Sequence, residues 1–343
     1  MRKSGSSSPW TTAESVSHRA ETTLSDPALT LDTEHAGLPE STAAYRIEGP
    51  ESTLVDPGPS PSLPKVLEKI ETAGHDPSEL RNLILTHVHL DHAGAVGHLA
   101  EMYPKLTVYV HMDGAPHLVD PERLIASTRR TFGEAYDDLY GEVKPVPPDR
   151  VRVWRPRESA AVGGRGATTL RAISTPGHTP HHLAFLDERD GTLYCGDALG
   201  LRLTPSAPVL VPTPPPGVDL TAWFHTLDEL EVIGPERIAP THFGMHPPTS
   251  AGRVDVTRTH IREFRAELLR LALRARAALE IEDETEDAER YEAEVRDRLA
   301  EHRGPDWVDR YVEVFSPARD YRGVVHFLTE NPHWHPPRGV PAE

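Results

Sequence analysis

The chain has 343 residues, of which 37% are hydrophobic and 26% are charged, and its formal net charge is −17. No stretch of about 18 apolar residues occurs, which excludes a membrane span, and the single cysteine, Cys195, excludes an internal disulfide framework. The negative charge argues against nucleic acid as a partner. The lone thiol, and the lack of an apolar segment after the basic N-terminus, favour a cytoplasmic protein without a secretory signal.

After a polar stretch at 1–25, which predicts a disordered tail, short apolar runs alternate with amphipathic segments. Apolar runs predict strands at 29–31, 44–47, 53–55, 83–85, 106–110, 151–154, 168–173, 183–186, 192–195 and 238–239. Amphipathic periodicity predicts helices at 63–70, 93–102 and 220–233. The run at 83–85 has no polar alternation, which is typical of a strand covered on both faces.

Two regions depart from this alternation. Residues 113–148 read as an inserted helical cap, and we expect this cap and the proline-rich loop at 204–217 to build the substrate pocket. From 254 to 343 the chain reads as a helical C-terminal extension. Its first helix carries an apolar seam made of Ile261, Phe264, Leu268, Leu271, Ala275 and Ala278. The seam packs either within the chain, which we favour, or on a second copy in a homodimer.

The central feature is the string Thr86-His-Val-His-Leu-Asp-His-Ala-Gly94, directly after a predicted strand. It places His87, His89, Asp91 and His92 within six positions. Imidazole and carboxylate groups are ligands for zinc, and also for iron or manganese. Such a cluster, when buried without a metal, leaves polar groups unsatisfied at a cost in free energy. The spacing therefore predicts a metal site.

Three later residues strengthen this prediction, because each lies at the end of a predicted strand. His178 stands in Thr175-Pro-Gly-His-Thr-Pro180, Asp197 in Tyr194-Cys-Gly-Asp-Ala198, and His242 in Pro240-Thr-His-Phe-Gly244. Ligands at the ends of separate strands can converge on one point.

These motifs, in this order, resemble the metallo-β-lactamase fold superfamily over about residues 28–245. The resemblance implies an α/β fold, a four-layer αβ/βα sandwich, for a domain at 26–253 that precedes the extension. It also implies a pair of metals at one edge of the two sheets. In the resemblance, His87, His89 and His178 bind the first metal, Asp91, His92 and His242 bind the second, and Asp197 bridges the two.

Two divalent metals about 3.5–4 Å apart can share a bridging water and lower its pKa toward about 7, which yields hydroxide at neutral pH. That hydroxide can attack a carbonyl carbon while one metal polarises the substrate oxygen. Asp91 could take up the remaining proton and is our candidate catalytic residue. The sequence therefore favours a hydrolase that uses two divalent ions, zinc first and iron or manganese as alternatives, on a small ester, thioester or lactone.

The substrate is less well indicated. The residues after Asp197 lack the stretch found in the glyoxalase II branch, and Gly200 stands where lactonases of this fold carry a tyrosine. The motifs THVHLDHAG, PGHxPHH, TPPP and THFG together resemble an uncharacterised prokaryotic branch. Two alternatives stay open: a mononuclear iron persulfide dioxygenase built on His87, His89 and Asp197, and a non-catalytic binding or regulatory protein.

Several further residues are weaker candidates. Asp56 matches an aspartate that supports the metal-binding loop in this family, or it simply caps a turn. His181 and His182 contact the pocket or pack in the core, and Cys195 reads as a buried structural thiol. In the cap, Arg129, Arg130, Tyr136 and Tyr140 either grip a polar group of the substrate or lie on a solvated helix.

Overall fold

The computed structural model describes residues 28–49, 51–155, 158–161, 169–204, 206–246 and 256–337. The tail predicted at 1–25 lies outside these residues. Within the described residues, no helix combines the length and the apolar character that crossing a membrane requires.

Eleven strands are present in the described residues, and they form two mixed sheets. The first sheet has six strands in chain order: β1 (Ala28–Asp32), β2 (Ala43–Ile47), β3 (Ser52–Val55), β4 (Leu80–Ile84), β5 (Thr107–His111) and β6 (Val151–Trp154). The second sheet has five strands: β7 (Ser159–Ala161), β8 (Thr169–Ser174), β9 (Leu183–Asp187), β10 (Thr192–Gly196) and β11 (Arg237–Pro240). Only β7 was not expected, since its three residues carry no apolar run.

Parallel pairing brings several strand ends to one edge of the molecule. In the first sheet β3, β4, β5 and β6 run parallel to one another, and in the second sheet β10 and β11 run parallel. The carboxyl ends of parallel neighbours lie at the same edge of their sheet. The loops that carry chemistry therefore leave each sheet side by side.

Three buried apolar clusters separate four layers. The middle cluster joins the facing sides of the two sheets and includes Tyr45, Ile84, Trp154 and Phe185. The other two lie between each sheet and its own helices. Along β4, Leu83 faces the helices and Ile84 faces the opposite sheet, because side chains alternate along a strand. The strand is thus covered on both faces, and the predicted four-layer architecture is confirmed.

Eleven α-helices are present in the described residues. They are α1 (Leu63–Thr72), α2 (Leu90–Ala93), α3 (Val96–Met102), α4 (Ala115–Val119), α5 (Glu122–Phe132), α6 (Tyr136–Tyr140), α7 (Leu220–Ile233), α8 (Val256–Glu280), α9 (Glu284–Ala300), α10 (Pro305–Val314) and α11 (Pro317–Glu330). Helices α4 to α6 occupy the insertion predicted at 113–148. Helices α8 to α11 form the C-terminal extension.

The extension packs on the second sheet's helical layer. All six seam residues of α8 are buried, and all of them except Ala278 belong to the same apolar cluster as Trp223 and Leu227 of α7. The Trp223 and Phe264 rings lie 5.5 Å apart. The seam therefore packs within the chain, as favoured from its periodicity. The junction predicted near 254 falls in 247–255, which lies outside the described residues.

Candidate metal centre

Five strand ends converge on the candidate site. Asp56 follows β3, and the loop with His87, His89, Asp91 and His92 follows β4 in the first sheet. In the second sheet, His178, Asp197 and His242 come shortly after β8, β10 and β11. The structure brings all seven of the residues proposed as ligands together at this edge.

Ligand-capable atoms of His87, His89 and His178 form one group, all lying within 4.8 Å of one another. Within this group His178 Nε2 lies 2.9 Å from His89 Nδ1. This group is the set that the sequence assigned to a first metal.

The residues Asp91, His92 and His242 form a second group with the same spacing. Asp91 Oδ2 lies 3.4 Å from His242 Nε2 and 3.7 Å from His92 Nε2. These three are the set that the sequence assigned to a second metal.

The Asp197 carboxylate lies between the two groups. Its Oδ2 is 3.3 Å from His178 Nε2 in the first group. Its Oδ1 is 3.4 Å from His92 Nε2 and 3.7 Å from His242 Nε2 in the second. One oxygen thus faces each group, which is the placement that a bridging carboxylate requires.

Asp56 supports the loop after β4 through buried hydrogen bonds. Its carboxylate accepts from the Thr86 N–H at 2.9 Å, the Thr86 hydroxyl at 2.7 Å and the Thr241 hydroxyl at 3.0 Å. It also lies 2.9 Å from His92 Nδ1, which can donate to it. Because the Thr86 proton goes to Asp56, the Thr86 oxygen can accept from His87 Nδ1 at 3.1 Å. Asp56 therefore does more than cap a turn, since it orients two rings of the site.

Backbone carbonyls orient two further rings. His178 Nδ1 donates to the Pro212 carbonyl at 2.8 Å, and His242 Nδ1 donates to the Ser41 carbonyl at 3.0 Å. A ring whose Nδ1 carries the proton presents a lone pair at Nε2. In both residues Nε2 is the atom that points at Asp197.

His182 holds Asp197 in place, a role that the sequence left open. The Asp197 N–H donates to His182 Nε2 at 3.2 Å, while His182 Nδ1 lies 2.7 Å from the Thr175 hydroxyl. Gly196 makes this approach possible, since a Cβ there would lie 2.5 Å from Thr86 Oγ1 and 2.8 Å from His182 Nε2. His181 instead lines the neighbouring cavity, where its Nε2 has no hydrogen-bond partner among the described residues.

The donor set fits divalent cations. Within the described part of the chain, His87 Nε2, His92 Nε2 and Asp197 Oδ1 are buried without a hydrogen-bond partner, which is costly unless another group binds them. Burial lowers the pKa of His87 and lowers that of His89 to about 3, so these imidazoles are neutral. Burial alone would raise the pKa of Asp197, but the neighbouring His92 and His178 hold it well below its usual range. Neutral imidazoles around an ionised carboxylate are what a metal needs.

His92 is the exception among the imidazoles. Burial alone would lower its pKa, but the carboxylates of Asp197 and Asp91 raise it well above the ordinary value. A cation bound here would take the place of that proton.

A cavity of about 380 Å³ opens beside Asp91, His178, Asp197 and His242. The predicted cap and the loop at 204–217 both line it. The cap supplies one face of α5, and the loop supplies the segment from Leu210 to Gly217.

The cap residues singled out from the sequence mostly lie elsewhere. The exposed Arg129 pairs with Asp137 at 2.7 Å and stacks on Tyr136, so this pair stabilises the cap itself. Arg130 is exposed, and only Tyr140 of the four lines the cavity. Cys195 is fully buried and burial raises its pKa, in keeping with a structural thiol.

The C-terminal extension contributes a wall of the cavity that the sequence did not assign to particular residues. Tyr311 and Phe315 line it, together with Arg319 and Asp320 of α11. The sequence could not assign these residues to the cavity, because they follow the last ligand motif by about seventy positions.

Known proteins of similar sequence and structure bear on the identity of this site. A model of the metallo-β-lactamase superfamily matches residues 37–242. The chain is 28% identical over 217 residues to the metallo-β-lactamase fold-containing protein ST1585 of Sulfurisphaera tokodaii, covering 62% of this chain and 76% of that one. It is 32% identical over 152 residues to the uncharacterized protein YobT of Bacillus subtilis, covering 44% of this chain and 59% of that one.

A solved structure extends the similarity to nearly the whole chain. The metallo-β-lactamase family protein TTHA1429 of Thermus thermophilus superimposes with a TM-score of 0.60 at 21% identity, covering 89% of this chain and 94% of that one. At this identity the match speaks for the fold alone.

Proposed function

The chain belongs to the metallo-β-lactamase superfamily, and from this premise we propose that it is a metal-dependent hydrolase that cleaves a small ester, thioester or lactone. The cofactor we propose is a pair of divalent ions, zinc first, with iron or manganese as alternatives. His87, His89 and His178 would hold one ion, Asp91, His92 and His242 the other, and Asp197 both.

The observation that carries the proposal is the position of Asp197. Its two carboxylate oxygens face two separate groups of donors, at 3.3 Å on one side and 3.4 Å on the other. A single-metal site would need only one of these groups. The complete second group also weighs against the mononuclear dioxygenase, as does Asp197's grouping with His87 and His92 rather than with His89.

When bound, a divalent pair supplies a water of lowered pKa as nucleophile and a Lewis acid for the acyl oxygen. The chain's own residues position these partners. His178 and His242 are fixed by Pro212 and Ser41, so their Nε2 atoms keep their direction during turnover. The Asp91 carboxylate borders the cavity and can accept the proton released as the new carbon–oxygen bond forms.

The cavity itself favours an acyl substrate. Most of its lining is apolar, and it includes Val88, Leu124, Leu210 and Phe315. Such a lining excludes bulk water and strengthens electrostatic interactions at the carbonyl. Tyr140 is the nearby exception, because burial and the Asp91 charge raise the pKa of its phenol, which stays protonated and can donate a hydrogen bond.

The test combines metal analysis with a hydrolysis panel on one purified sample of the full chain. We expect between one and two metal ions per chain by mass spectrometry, and turnover of at least one ester, thioester or lactone. Chelation should abolish turnover and a divalent ion should restore it. Asp197→Asn should lower kcat/KM by about a hundredfold or more, whereas the exposed Asp138→Asn serves as the matched control and should leave it unchanged.

Other outcomes would contradict the proposal. Fewer than about one metal ion per chain in well-folded protein would remove its basis. Full metal loading without turnover across the panel would favour a binding protein. Iron loading with oxygen consumption on a persulfide would favour the dioxygenase.

A further inference from the structure

We infer that Arg319 and Phe132 form a carboxylate-binding subsite in the cavity, and that the substrate is an ester or thioester carrying a carboxylate separated from its scissile carbonyl by an apolar segment. This inference rests on the proposed function and names the substrate class of the same site.

The Arg319 guanidinium is held in place by two contacts, and its remaining N–H donors can bind a ligand. It lies 4.3 Å from the centre of the Phe132 ring, and its Nη1 donates to the Val314 carbonyl at 3.1 Å. Both Arg319 and Phe132 line the cavity. Within the described residues no carboxylate lies within ion-pair distance of Arg319, so its Nε and Nη2 remain available to a ligand. A guanidinium stacked and oriented in this way suits a planar carboxylate.

The nearest acid does not neutralise this cation. Asp320 Oδ1 accepts from the Thr213 N–H at 2.9 Å, which turns the carboxyl group toward the loop at 212–217. Burial raises the pKa of Asp320 to about 8, despite the opposing effect of Arg319. At neutral pH the Asp320 carboxyl group is therefore largely uncharged and does not offset the positive charge of Arg319.

A second cation lies on the cavity lining. Arg123, on the first turn of α5, is exposed, lines the cavity and has no ion pair among the residues described. The chain as a whole carries a net charge of −17, which repels anions in solution. Two unneutralised guanidinium groups on one cavity of an acidic protein therefore favour an anionic ligand at this cavity.

The path from Arg319 to the metal centre defines the rest of the substrate. Burial and the Asp91 charge raise the pKa of the Tyr140 phenol and the Arg319 charge lowers it, so the phenol is within electrostatic reach of both groups. The Tyr140 ring packs against Phe132, with ring centres 5.0 Å apart. Leu124, Val314 and Phe315 add apolar side chains to the same cavity lining. A carboxylate on Arg319 thus leaves an apolar segment to span the distance to the acyl carbon.

A matched pair of esters tests the inference on the metal-loaded full chain. The carboxylate-bearing ester is 4-nitrophenyl hydrogen glutarate, and the neutral ester of equal length is 4-nitrophenyl pentanoate. We expect kcat/KM to be about tenfold or more higher for the glutarate ester, carried mainly by KM, because an ionic hydrogen bond in a protein is worth about that factor. A second pair, 3-(4-acetoxyphenyl)propanoate and 4-butylphenyl acetate, shows whether the carboxylate belongs to the acyl or the leaving side.

Three variants assign the preference to Arg319. Arg319→Gln should bring the ratio for the preferred pair to about one while turnover of its neutral ester stays within about twofold. Arg319→Lys keeps the charge and should retain part of the preference. Arg322→Gln removes the same charge from an exposed position on α11 and should leave the ratio unchanged. A wild-type ratio near one for both pairs, or a preference that survives Arg319→Gln, would overturn the inference.

Binding measurements separate this inference from the proposed function. If no ester, thioester or lactone is turned over, the proposed function fails, and calorimetry with glutarate and pentanoate on the same metal-loaded protein still decides the subsite. We expect tighter binding of glutarate than of pentanoate, lost in Arg319→Gln and retained in Arg322→Gln. Equal binding of the two acids would contradict the proposed carboxylate-binding subsite.

Discussion

At the scale of single residues, the candidate centre depends on groups that touch no substrate. His87 and His92 reach the site from the same loop, and both are oriented through the Asp56 carboxylate. Asp56 adopts φ 46°, a left-handed conformation that costs an aspartate free energy. The four hydrogen bonds it accepts offset that strain, because each would otherwise leave a buried group unpaired.

Replacing Asp56 tests this support directly. Asp56→Asn keeps the shape of the side chain and removes the charge that holds His92 Nδ1 as a donor. We expect metal affinity, measured by competition with a chromophoric chelator, to fall by about 10-fold to 100-fold. The exposed Asp138→Asn is the control. Unchanged affinity in Asp56→Asn would show that the ligand loop holds its shape without this carboxylate.

At the scale of elements, α11 clamps the loop that orients His178. The Thr213 N–H donates to the Asp320 carboxyl group at 2.9 Å, and the Thr213 hydroxyl donates to the Asp320 backbone carbonyl at 2.8 Å. The preceding residue, Pro212, accepts the hydrogen bond from His178. A helix of the C-terminal extension is therefore joined to a candidate ligand through two consecutive loop residues.

The contact between α11 and this loop has no room for a side chain at Gly323. A Cβ there would lie 1.7 Å from the Thr213 carbonyl oxygen. We expect Gly323→Ala to lower the free energy of unfolding by about 1–3 kcal/mol in urea denaturation, and to reduce metal content by displacing Pro212. Gly304→Ala makes the same change in open space and should cost less than about 1 kcal/mol. Equal stability of Gly323→Ala and wild type would show that the contact between α11 and the loop at 212–217 is not tightly packed.

At the scale of the whole molecule, the extension and the sandwich share one apolar core. The cluster that contains Cys195 of β10 and Trp223 of α7 continues through Phe264 of α8 to Tyr311 and Val324. The extension also contacts the loop between β1 and β2, where Arg310 donates to the Ala36 carbonyl at 2.8 Å. Residues from the strands of the sandwich and from the last helices therefore share one apolar cluster, and we expect them to fold as one unit.

This shared core predicts a single cooperative unfolding transition. A chain that ends at residue 246 exposes Trp223 and Leu227, and we expect it to aggregate or to show no transition in calorimetry. Phe264→Ala probes the same contact within the full chain and should cost about 3–5 kcal/mol. A truncated chain with the wild-type melting temperature would show that the extension is an independent domain.

The sequence alone determined the ligand-capable residues and the architecture, because both follow from local patterns. Four donors lie within six positions after β4, and the apolar run at 83–85 is typical of a strand covered on both faces. The family's motif order then fixed how the strands assemble. Strand β7 was not predicted, because its three residues contain no apolar run.

Tertiary structure decided what surrounds the ligands. The roles of Thr86, Thr241 and His182 depend on hydrogen bonds to Asp56 and Asp197, which lie on other loops, and no spacing along the chain encodes these contacts. Arg319 lines the cavity because α11 packs on the loop at 212–217. Arg129 of the cap instead forms an ion pair with Asp137. Local chemistry names the groups that can bind a metal, but long-range packing chooses which side chains meet the substrate.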